Sequence, residues 1–99
     1  MKYADLFRLD GKTALVTGSS KGIGRAIAEA MAAQGAQVVI SSRKADACEA
    51  VKREFDAEGL DSIAVPCNVA RKAELDNLVA RTMEAFGRID ILVCNAASN

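Results

Sequence analysis

The sequence predicts an α/β fold with a doubly wound parallel sheet, and three observations carry that prediction. Short apolar runs at Ala14-Leu15-Val16, Val38-Val39-Ile40, Ile63-Ala64-Val65 and Ile91-Leu92-Val93 alternate with longer segments of helical period. A glycine follows each helical segment, at Gly35, Gly59 and Gly87. The connections are short, so consecutive units form right-handed βαβ crossovers in one sheet.

Taken in order, Asp10-Gly11-Lys12 is a turn and Thr13 to Thr17 the first strand. A glycine-rich loop then opens a helix to about Ala33, with Ile23, Ile27 and Met31 on one face and small Ala26 and Ala30 beside them. Residues 37–41 form a second strand, apolar and β-branched as expected of a strand covered on both faces. A second helix spans residues 44–58 with Ala47, Cys48, Val51 and Phe55 inward. Residues 62–65 form the third strand, and Pro66, the sole proline, limits its ladder. The third helix carries Leu75, Leu78, Val79, Met83 and Phe86 on its core face and closes at Gly87. Ile89 and Ile91-Leu92-Val93-Cys94 supply the fourth strand.

Four strands and three helices in this alternation predict the order 3-2-1-4 across the sheet, with the switch point between strands one and four. A ligand crevice belongs at the C-terminal ends of the strands, where Gly18, Ser42, Asn68 and Asn95 fall. Only the third helix covers one sheet face, and strand four leaves an apolar edge, so a homo-oligomer is expected.

The composition narrows the classes. At 99 residues the chain is one domain at most, near the small end for a self-sufficient core. Acidic and basic side chains balance at thirteen each without a basic block, which argues against a general grip on nucleic acid. Cys48, Cys67 and Cys94 are irregularly spaced and there is no histidine, so reduced thiols are expected and no metal site. No segment has the length and hydropathy of a signal peptide or membrane span, and the cytoplasm is the expected compartment.

The chemistry gathers at Thr17-Gly18-Ser19-Ser20-Lys21-Gly22-Ile23-Gly24. Its three glycines free the main chain from Cβ and let it approach a ligand closely, while the helix that follows turns unpaired N–H groups toward an anion. The spacing is T-G-x-x-x-G-x-G, and in this the chain resembles the short-chain dehydrogenase/reductase family. The resemblance implies a Rossmann-like fold and a dinucleotide cofactor held by Thr17, Gly18, Ser20, Lys21, Gly22, Ile23 and Gly24. Asn68-Val69 stands where the family usually has Asp-Val, a position that holds the adenine amino group, and Asn68 keeps an acceptor oxygen for it. Cys94-Asn95-Ala96-Ala97 stands for the family's N-N-A-G, matching at Asn95 and Ala96, and Asn95 braces the sheet or lines the ribose pocket.

The second strand ends at Ser42, followed by Arg43, with no carboxylate to take a ribose 2′-hydroxyl. Arg43 and Lys21 suit a 2′-phosphate, and Ser42 can add a hydroxyl. Together they are the pattern of NADP-preferring family members, so NADP is the expected cofactor. The resemblance places the family's catalytic Tyr-x-x-x-Lys pair further along than this chain reaches, and the single tyrosine, Tyr3, has no lysine four residues on. No catalytic residue is assigned, and the chain is read as the N-terminal part of one dinucleotide-binding domain. A carbonyl or alcohol substrate belongs only to the complete enzyme. The competing readings are a stand-alone nucleotide-binding module and a self-associating half-domain with a vestigial loop. A methyltransferase shares the architecture but not this loop or the Ser42-Arg43 pair.

Overall fold

The structure, a computed structural model, describes residues 7–95. It contains β1 (Thr13–Thr17), α1 (Gly22–Ala33), β2 (Gln37–Ser41), α2 (Ala45–Ala57), β3 (Ser62–Ala64), α3 (Lys72–Phe86) and β4 (Ile91–Cys94). The strands form one parallel sheet in the order β3-β2-β1-β4, as the alternation predicts. Thr17 lies between Ser41 and Cys94 in the register, which brings the C-terminal ends of three strands into one row.

Successive residues of β1 and β2 point to opposite faces, and both faces are covered. On one, Ala14, Val16, Val38 and Ile40 pack with Ala28 and Ala32 of α1 and with Cys48, Val51 and Phe55 of α2. On the other, Leu15, Val39, Val65 and Cys67 pack with Leu78 of α3. Arg25 ties the two helices of the first face together, pairing with Glu29 and Glu54 and lying 5.9 Å from the Phe55 ring centre.

The azimuth of α1 differs from the expected one. Its buried residues are Gly24, Ala28 and Ala32, whereas Ile23 is 74% exposed. Residues four apart share a helix face, and the loop requires Gly24 to face the Gly18 carbonyl, so Ala28 and Ala32 follow it inward. The small residues bring the helix close to the sheet, and the Ile23 row turns outward or to the margin.

The third helix keeps Leu78 and Phe86 of its expected face toward the sheet but turns the rest of that face aside. Leu78 and Thr82 are buried, with the Thr82 hydroxyl donating to the Leu78 carbonyl at 2.8 Å. Leu75, Val79 and Met83 remain partly exposed, the last two at 48% and 45%. Arg81, Glu84 and Ala85 lie by Ile63 of β3, so the Leu75-Val79-Met83 row is on the flank away from that strand.

Pro66 does not end the pairing of the third strand. The Val65 N–H donates to the Ile40 carbonyl at 2.9 Å and the Cys67 N–H to the Ser42 carbonyl at 2.8 Å. Alternate N–H groups of a strand point to opposite sides, so the N–H that Pro66 lacks would have faced the open edge. The extension carries Cys67 and Asn68 to the same end of the sheet as Ser42.

Candidate functional site

The β1–α1 loop is held open by its own main chain. Gly18 has φ 65°, in the left-handed region that side chains disfavour. Gly24 is needed for space: a Cβ there would lie 2.1 Å from the Gly18 carbonyl oxygen and 2.6 Å from Asn95 Nδ2. Ser19, fully buried, anchors the loop to β2, its N–H donating to the Ser41 carbonyl at 3.0 Å and its Oγ accepting the Ser41 N–H at 2.8 Å.

On the other side the loop is joined to β4. The Thr17 hydroxyl donates to the Val93 carbonyl at 3.3 Å and accepts the Asn95 N–H at 3.0 Å, while Asn95 Nδ2 donates to the Gly18 carbonyl at 3.4 Å. The first main-chain bond of α1 runs from the Arg25 N–H to the Lys21 carbonyl. The N–H groups of the preceding turn have no helical carbonyl to meet. No acidic residue occupies that first turn, unlike α2 with Asp46 and α3 with Glu74, so the positive end of the α1 dipole is left uncompensated by side chains.

A cavity of about 910 Å³ lies beside this loop, across the ends of the strands. Its walls include Thr17, Gly18, Ser20, Lys21 and Gly22 from the loop, Ser42, Arg43 and Lys44 after β2, and Cys67, Asn68, Val69 and Ala70 after β3, with Asn95 just after β4. Lys21, Arg43 and Lys44 bring three cations to it, and among the described residues no carboxylate lines it. Ser41 also lines it, and the buried Ser41 Oγ has no protein partner among the described residues. The Ser42 hydroxyl accepts the Lys44 N–H at 3.3 Å and lies 3.2 Å from Cys48 Sγ, which holds the turn into α2. Burial pushes the Cys67 thiol above its ordinary value, and Glu74 adds to the shift, so Cys67 is a neutral wall.

Of the residues singled out in the sequence, Thr17, Gly18, Ser20, Lys21, Gly22, Ser42, Arg43, Asn68, Val69 and Asn95 therefore meet at one cavity. Gly24 supports the loop from behind. Ile23 points outward and is not part of the wall. Ala96 lies outside the described residues, as does Tyr3. Sequence reasoning missed Ser41, Lys44, Ala47, Cys67 and Ala70 in the wall, and Glu74, whose Oε1 accepts the Asn68 N–H at 2.8 Å. Only Glu74 had a signal: it is an acid in the first turn of α3. Among the described residues there is no metal-ligating cluster, and no helix is long and apolar enough to cross a membrane.

A four-stranded parallel sheet in this order, with a glycine loop and a cavity at its switch point, defines a Rossmann-like doubly wound α/β protein. The family profile described as short chain dehydrogenase matches residues 12–99, and the chain belongs to that family. It is 42% identical over 93% of its length to Short-chain dehydrogenase/reductase SDRA of Arabidopsis thaliana, covering 36% of that protein. It is 47% identical over 91% of its length to a sorbitol dehydrogenase of Cereibacter sphaeroides, covering 34% of it. The crystal structure of a hydroxysteroid dehydrogenase from Escherichia coli superposes with a TM-score of 0.92 at 40% identity, over 96% of this chain and 40% of that one. The chain thus spans little more than a third of the relatives it matches.

Proposed function

We propose that this chain is the N-terminal cofactor-binding part of a single dinucleotide-binding domain in an NADP(H)-dependent short-chain dehydrogenase/reductase. The observation that carries the reading is the cavity wall, where Lys21, Ser42, Arg43 and Lys44 meet with no acid among the described residues. A carboxylate at the end of β2 would hydrogen-bond an unmodified ribose, whereas a 2′-phosphate calls for cations. The pyrophosphate suits the free N–H groups of the α1 turn. Bound NADP(H) supplies the hydride in this chemistry, and the residues of this chain hold the cofactor rather than move a proton. With no Tyr-x-x-x-Lys in its sequence, the isolated chain is expected to lack carbonyl reductase activity. The carbonyl or alcohol substrate belongs to the complete enzyme, for which the cytoplasm is the proposed compartment.

Calorimetric titration with NADPH and NADH, at low and higher salt, tests the reading. Tighter binding of NADPH that weakens with salt is expected. Ser42→Asp and Arg43→Ala should each weaken NADPH by about tenfold, the scale of one charge-assisted contact, while sparing NADH. An unchanged preference in both variants would remove the NADP assignment. The alternative of a self-associating half-domain is favoured by one observation, the partly exposed Leu75, Val79 and Met83 beside an open β4.

A further inference from the structure

We propose that Cys48 is a positioning residue for cofactor selection: its buried thiol holds the Ser42 side chain in place on the cavity wall, so that a ribose 2′-phosphate meets a hydroxyl already ordered. The proposal rests on the NADP(H) reading above, in which Ser42 meets the cofactor through that phosphate.

The main chain and the side chain of Ser42 are fixed by different elements. Its carbonyl accepts the Cys67 N–H at 2.8 Å, which ties the backbone to the continuation of β3. Its hydroxyl turns the other way, to α2. That helix begins after Lys44, whose side chain does not cap it, and Ser42 Oγ accepts the Lys44 N–H at 3.3 Å instead. The second contact is Cys48 Sγ, 3.2 Å from Ser42 Oγ and 3.8 Å from the Ser42 carbonyl oxygen. A thiol both donates and accepts weakly, so Sγ stays bonded to Ser42 whichever oxygen takes its proton. The remaining contact, from the Ser42 hydroxyl to the Lys44 carbonyl, is 3.5 Å long and contributes little.

Cys48 is the only one of these side-chain partners rooted in the core. It is fully buried among the residues that α1 and α2 pack on the sheet, and its own N–H donates to the Lys44 carbonyl at 3.1 Å. The turn of Ser42, Arg43 and Lys44 therefore meets the rigid interior through this thiol. That the wall is built for an occupant has separate support in Ser41, which also lines the cavity, is 1% exposed and has a hydroxyl without a protein partner among the described residues. A serine released from Cys48 regains its three staggered rotamers, and ordering it again on binding weakens the phosphate contact by about threefold.

The test titrates the 99-residue chain and its variants with NADPH and NADH in a calorimeter. Cys48→Val fills the space of the thiol without its hydrogen bond, and Cys48→Ala leaves that space open. Each should weaken NADPH by about threefold and leave NADH unchanged, while Cys48→Ser should restore the wild-type ratio. In a Ser42→Ala background the same replacements should no longer change the ratio. A part in packing alone would weaken both dinucleotides together, or lower the melting temperature and spare the ratio. Either result overturns the proposal, as does a loss of equal size in the Ser42→Ala background. Should one of the two thiol-free variants fail to fold, the other decides. Wild type that binds NADH as tightly as NADPH, or binds neither, overturns the cofactor reading itself and the proposal with it.

Discussion

At the scale of single residues, Gly24 shows how a site can depend on an atom that is missing. A methyl group at this position would meet the Gly18 carbonyl and the Asn95 amide, both parts of the cavity rim, at distances no relaxed structure accepts. The main chain would have to move, and overpacking of this kind costs about 1–3 kcal/mol. Gly24→Ala is expected to lower the melting temperature and to abolish dinucleotide binding together, since one displacement causes both. Thermal denaturation alongside titration checks this, and an unchanged melting temperature would show that the loop yields more easily than its geometry implies. The positions of the three glycines were legible because their spacing is local. The role of Gly24 was not, because Asn95 lies far along the chain and only folding brings it alongside.

At the scale of elements, β4 illustrates how a short strand is fixed in register. Asp90 precedes it, accepts the Thr13 N–H at 2.9 Å and returns its own N–H to the Thr13 carbonyl at 2.9 Å, so its start is pinned to the start of β1. Arg88 grips the same carboxylate through both its oxygens, at 2.8 and 2.7 Å. The Arg88 hydrogen bonds foremost, and then the Thr13 N–H, hold the Asp90 carboxyl below the usual carboxylate range. A carboxyl depressed in the folded state stabilises above its unfolded value, near pH 3.9, and that contribution is lost as pH falls through the folded value. Asp90→Asn keeps an oxygen for the Thr13 N–H and removes only the charge. It should lower the melting temperature at neutral pH, with a difference from wild type that shrinks as pH drops below about 4. A difference that persists undiminished at low pH would mean that the charge contributes nothing.

At the scale of the whole molecule, the sheet is covered unevenly. Two helices serve one face and one serves the other. Leu92 on β4 is 61% exposed, and the Leu75-Val79-Met83 flank of α3 is open as well. β4 is also an edge in the described sheet, with β1 on one side only. An apolar surface beside unpaired main-chain groups favours association. The chain on its own should therefore sediment as a dimer or larger species, and Leu92→Lys or Val79→Glu should shift it toward monomer by placing a charge in the contact. A compact wild-type monomer that melts cooperatively would count against this.

The alternation of apolar runs with helical periods, closed by glycines, was enough to determine the α/β class, the strand order and the end of the sheet where the cavity opens. These features follow from local periodicity and from the handedness that short parallel crossovers impose. The inward face of α2, with Cys48, Val51 and Phe55, was legible too, whereas the faces of α1 and α3 were settled only by tertiary structure. In α1 the Ile23, Ile27 and Met31 row has the stronger apolar period, yet contact between Gly24 and the Gly18 carbonyl outweighs it. In α3 Leu78 and Phe86 of the expected face pack inward, but Leu75, Val79 and Met83 yield to the buried Thr82. Pro66 looked like a barrier until the sheet showed that its missing donor faces an open edge. In each case a close packing contact or a hydrogen bond from folded neighbours has a directional demand that residue type and spacing do not carry.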